Sequence, residues 1–84
     1  MNPPENPEER LNALLRRLED VDRVKDEPII GIARKAQSPR QALKEARGEK
    51  WDEKVAMRCW FLAVLKRDYE WKFIELYGDD TAPQ

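Results

Sequence analysis

The sequence predicts an all-α domain, a small bundle of three or four helices built around one long C-terminal helix. Three observations carry that reading. Apolar residues recur at spacings of three and four along most of the chain. The pairs Asn6-Pro7 and Ser38-Pro39, with capping chemistry followed by a first-turn proline, precede two such runs. From about Glu49 to Tyr77 neither Pro nor Gly interrupts the pattern.

With 84 residues the chain has room for one core. A domain of that size buries about 60–65% of its unfolded surface, so its stability margin is thin. The reading places a single helical domain at residues 6–78, between a disordered lead at 1–5 and a disordered tail at 79–84. "MNPPENPEE" has no basic and then apolar segment of the secretory kind, so the mature chain is expected to start at or near Met1.

In the first helix Asn6 caps, Pro7 takes the first helical position and Glu9 stands where a capping box places its acid. Leu11, Leu14, Leu15, Leu18 and Val21 then form one apolar face that needs a partner. Pro28 disfavours a helical residue before it and so ends that helix upstream. "PIIGIARKA" reads as a short helix, with Ile29, Ile32, Ala33 and Ala36 on one side, although its isoleucines leave a strand as the rival. Ser38 and Pro39 open a third helix that Gly48 is expected to stop. Glu49, Asp52 and Glu53 suit the positive end of the long helix that follows, and Gly78 closes it.

The stretch "VAMRCWFLAVL" at residues 55–65 holds ten apolar residues and one charge, in a chain that is 39% charged. Wheeled at 100° per residue, the long helix has two apolar sides. Trp51, Val55, Cys59, Leu62, Tyr69, Phe73 and Leu76 fall on one, broken by Lys66, and Met57, Trp60, Phe61, Val64 and Trp71 on the other. A helix that is apolar all round is a buried central one, and the elements before it supply the cover. On this reading Cys59 is a buried small hydrophobe and Trp60 a core residue. Trp71, flanked by Glu70 and Lys72, is partly exposed and belongs to an interface. Farther on, Asp68 with Lys72 and Lys66 with Glu70 are spaced as i,i+4 pairs.

Several function classes lack their parts. There is no histidine, and Ser38, Thr81 and Cys59 are the single serine, threonine and cysteine, so nucleophilic catalysis has no base to pair with. The three glycines are isolated and build no phosphate loop. One Cys without His does not hold zinc. "DVDRVKDE" has Lys25 where a calcium loop starting at Asp20 requires glycine, and Gly31 where it requires glutamate. No cofactor or metal is expected, and the chain does not read as an enzyme. Eleven apolar-rich residues do not span a bilayer. A lone cysteine fits a reducing cytoplasmic setting.

Net charge is −1, unevenly spread. Residues 28–50 carry six basic and two acidic side chains between two acidic flanks. On a helix Arg40, Lys44 and Arg47 fall within about 60° of one another, with Arg34 and Lys35 close by in sequence. Residues 29–47, a short helix, a tight turn and a basic amphipathic helix, resemble a helix-turn-helix unit, whose second helix would enter a DNA groove. They depart from it at Gln37, where that turn favours glycine, and at Ser38 and Pro39, where it places an apolar anchor.

The function expected by elimination is protein binding, as an adaptor, inhibitor or assembly factor, or self-association, through Met57, Trp60, Val64 and Trp71. The alternative is a nucleic-acid-binding regulator that uses Arg34, Lys35, Arg40, Lys44 and Arg47.

Overall fold

The computed structural model describes residues 6–21 and 27–78, and every regular element within them is a helix: α1 (Pro7–Asp20), α2 (Glu27–Lys35), α3 (Pro39–Gly48), α4 (Glu53–Asp68) and α5 (Glu70–Tyr77). The domain is all-α, and the strand alternative at residues 28–36 gives way to α2. The expected lead at 1–5 and tail at 79–84 lie outside the described residues.

Helix starts follow the local chemistry. Asn6 Oδ1 accepts the Glu8 N–H at 2.8 Å, and Ser38 Oγ accepts the Gln41 N–H at 3.1 Å, each followed by proline in the first turn. α4 begins later than expected, because Asp52 is its cap and accepts the Val55 N–H at 2.9 Å. The third helix also ends differently. Gly48 is its last residue, and the left-handed position falls to Lys50, at φ 66°, whose N–H reaches the Arg47 carbonyl at 3.0 Å.

The expected long helix divides at Tyr69. This residue leaves helical geometry (φ −139°, ψ 58°), yet its N–H still bonds Leu65 and its carbonyl already accepts from Lys72 and Phe73. Its backbone thus closes one helix and opens the next. Along a straight helix Phe73 would lie about 21 Å beyond Cys59, past the rest of the core. The break turns α5 back along α4, which buries Phe73 to 2% exposure and sets its ring 5.2 Å from that of Tyr77. The same break undoes the spacing of the expected i,i+4 ion pairs. Asp68 instead pairs with Arg67 at 2.7 Å, which holds its carboxyl below the usual range, and Lys72 pairs with Glu75 at 3.3 Å.

α4 packs against each of the other four helices, and α2 also packs on α3. Apolarity spreads almost evenly around α4, which is what a helix covered on most sides requires. Among the described residues twelve hydrophobic side chains are buried, of which five are alanine (Ala33, Ala42, Ala46, Ala56 and Ala63) and none is tryptophan. Small side chains at these seams let helix backbones approach closely but bury little area each. No described helix is long and apolar enough to cross a membrane.

Cys59 is fully buried, with its Sγ 3.6 Å from the Ile29 carbonyl. Burial first, and the nearby Glu45 carboxylate second, push its thiol up to about 11. The thiolate is therefore disfavoured in the fold, so Cys59 should react with a thiol reagent at pH 8 only through unfolding. Labelling at the unfolded-chain rate would contradict its placement. The sign of the pH dependence follows as well. A thiol raised in the folded state adds stability below its ordinary value and loses that stability as pH rises from about 9 to 11. The stability gap between the native chain and Cys59→Ala should accordingly narrow over that range.

Candidate protein-binding groove

The basic residues come first, because the fold uses several of them internally. A helix leaves its last carbonyls without intrahelical donors. Here three helices receive donors from a neighbour. Arg58 of α4, buried to 3% exposure, donates to the Leu18 carbonyl of α1 at 2.7 Å and contacts the Tyr77 hydroxyl at 3.4 Å. Lys66 of α4 donates to the Arg34 carbonyl near the end of α2. Arg34 of α2 donates to the Tyr77 and Gly78 carbonyls that end α5, the latter at 2.7 Å, with its guanidinium 5.7 Å from the centre of the Phe73 ring. Each places positive charge at the negative end of a helix.

Of the five basic residues assigned to a nucleic-acid or acidic-partner surface, Arg34 is thus half-buried in the clamp on α5. Arg47 bonds Glu53 at 2.6 Å. Lys35, Arg40, Lys44 and Arg47 are all exposed. Residues 29–47 do form a helix, a turn and a second helix, and buried Pro39 fills the place where an apolar anchor was missing.

The four residues assigned to protein binding are not brought together. Met57, Trp60 and Val64 form a half-buried stripe on α4, and Trp60, expected in the core, stands apart from the side chains packed on it. Val64 lines a groove of about 310 Å³ with Arg10, Ala13, Leu14 and Arg17 of α1. Trp71 lies across α1 from that groove. The wheel that set it on the same side as Trp60 assumed one continuous helix, and Tyr69 breaks that helix.

Trp71 is 62% exposed, as its charged neighbours suggested, and α5 also carries the two other exposed large apolar side chains, Ile74 and Leu76. Trp71 lines a cleft of about 440 Å³ with Pro7, Glu8, Leu11, Asn12 and Leu15 of α1, Tyr69 at the junction and Lys72. A second hollow, of about 270 Å³, continues from it through the shared Leu15 and Lys72 to Leu18, Glu19 and Leu76. The two make one apolar groove between α1 and α5. It exists because each of these helices packs on α4 while few residues join them to each other. Leu76 and the α1 side of the groove escaped the sequence reading, since both depend on the fold-back at Tyr69. Arg58 escaped it too, although a lone charge among ten apolar residues was a visible signal.

No protein-family model, curated protein or solved structure matches the chain. Among the described residues no three acidic or thiol side chains converge as a metal site would need.

The Arg34 clamp is open to test. Arg34→Ala removes charge-assisted hydrogen bonds worth about 1.5–3 kcal/mol and should free α5 before the rest of the domain. Amide exchange at residues 73–77 should then accelerate well beyond that of α3 and α4. Uniform acceleration across the domain would show that the clamp is not local.

Proposed function

We propose that the chain is a small non-enzymatic protein-binding module whose working surface is the groove between α1 and α5. The observation that carries this is Trp71, which leaves 62% of its surface in water beside a cleft already lined by Leu11 and Leu15. Tryptophan set in such a hollow is the residue type most enriched at binding hot spots. A partner protein, with no cofactor, is the ligand the surface suits, and a cytoplasmic setting accords with the single buried cysteine. The half-buried stripe of Met57, Trp60 and Val64 is a secondary surface, in which Val64 lines a groove against α1.

The nucleic-acid alternative keeps Lys35, Arg40, Lys44 and Arg47 as its exposed residues, with Arg40, Lys44 and Arg47 on one face as the phosphate contacts. Three phosphate contacts imply a slope of log affinity against log salt of about −2.7, hence a roughly 40-fold weakening between 50 and 200 mM salt.

Affinity capture with three baits separates the readings. Trp71→Ala should melt within about 1 kcal/mol of the native chain, because the side chain is mostly exposed, yet lose a protein partner that resists high salt. Lys44→Glu should keep that partner. If Trp71→Ala unfolds, or if capture depends on Lys44 and yields nucleic acid released by salt, the groove is not the working surface.

A further inference from the structure

The groove has a chemical character beyond being apolar. Both its walls are helices, whose backbone groups are already bonded within themselves, so it offers no strand edge that an extended peptide might pair with. An occupant must satisfy its own backbone, and a helix does so.

Charge then selects the occupant. α1 carries opposite signs on its two flanks. Arg10 and Arg17 face the Val64 groove, whereas Glu8, Asn12 and Glu19 line the side toward α5. Arg16 lies farther round α1 toward solvent and lines neither hollow. On α5, Glu75 falls by helical spacing between Trp71 and Lys72, and its side chain is 59% exposed. The cations of the groove are already engaged. Lys72 is 22% exposed and answers Glu75, and Arg58 is buried against the Leu18 carbonyl. The groove-lining charges that no described cation answers are therefore Glu8 and Glu19. Glu8 and Glu19 stand about 16 Å apart along α1, three helical turns.

We infer that the groove takes an amphipathic peptide helix of about three turns, with an apolar face for Leu11, Leu15, Trp71 and Leu76 and lysines or arginines flanking that face. This rests on the groove being the binding surface and adds the class of its partner. The acidic rim turns away nucleic acid and anionic lipid and favours basic segments by attraction that salt screens.

The probe is a fluorescein-labelled peptide of about 14 residues with leucine on one helical face and lysine elsewhere, read by anisotropy against the intact chain. A second peptide has glutamate in place of every lysine. The expected result is saturable binding of the Leu/Lys peptide, weakened at least about tenfold by Trp71→Ala and by Leu76→Gln. The double variant Glu8→Gln, Glu19→Gln, which leaves the Lys72–Glu75 pair intact, should weaken it about fivefold or more and flatten its salt dependence. Equal or tighter binding of the Leu/Glu peptide, still dependent on Trp71, would overturn the basic-partner inference and leave the groove as a binding surface. Absence of binding by either peptide, or binding indifferent to both Trp71 and Leu76, would also overturn it. So would a concentration-dependent dimer that Trp71→Ala abolishes, since the occupant would then be a second copy of this chain.

Discussion

Three of the five described helices end against a neighbour, and the final carbonyls of each take a cation from a different helix. α4 supplies two of these cations, Arg58 to α1 and Lys66 to α2, and α2 supplies Arg34 to α5. Charge-assisted hydrogen bonds of this kind contribute roughly 1.5–3 kcal/mol where they are buried, a large part of the stability of a domain this small, and they add to bonds such as that from the Val21 N–H to the Leu18 carbonyl. The contacts also order the domain in sequence. Lys66 holds the carbonyl of Arg34, and the side chain of Arg34 holds α5, so the placement of the last helix depends on α4 through α2. Arg58 stands eight residues before Lys66, about 12 Å along the same helix, so one rigid element sets where two others stop.

The same arrangement explains why the surface is open where it is. α5 is fastened on its α2 side by Phe73, Tyr77 and the guanidinium of Arg34, while α1 is fastened to α4 by Leu11 and Leu18. Among the described residues α1 and α5 share few direct contacts, and Arg58 of α4 bridges them from the Leu18 carbonyl to the Tyr77 hydroxyl. The hydroxyl of Tyr69 reaches the Pro7 carbonyl at 3.4 Å, at one end of the groove. From there the two helices run past each other with Leu15, Trp71 and Leu76 facing the gap.

The parts of this fold legible in the sequence are those decided within one turn of chain. Asn6, Ser38 and their prolines mark helix starts because a cap acts on its own next residues, and Cys59 reads as buried because its helical neighbours are apolar. The break at Tyr69 is not legible in that way. No Pro or Gly signals it, and its cause lies in where Phe73 and Tyr77 must go to meet the core and Arg34. Relations across the break were misplaced in consequence, among them the shared face of Trp60 and Trp71 and the i,i+4 spacing of Lys66 with Glu70 and of Asp68 with Lys72, whereas the exposure of Trp71 and the stop at Gly78, both local, were legible. Arg34 of the basic segment shows the same limit. A cation on a helix wheel looks solvated, and only the packed structure shows that Arg34 points at the end of another helix.

Core composition links these points to function. With Ala33, Ala42, Ala46, Ala56 and Ala63 at its seams, the domain brings helices close but has no room between them for an indole. Its three tryptophans are displaced outward for that reason, and they do not end in equivalent places. Trp51 packs on the edge of the core, and Trp60 is half-covered on α4, the helix that every other one holds in place. Trp71 sits on the eight-residue α5, one wall of the groove. A helix bound between α1 and α5 would cover its indole and add to the few contacts that join α1 to α5 in the free domain. Binding energy would then also stabilise α5 by mass action. That coupling favours the groove over the α4 stripe, because a ligand on α4 would cover apolar surface without joining elements that share few direct contacts in the free domain.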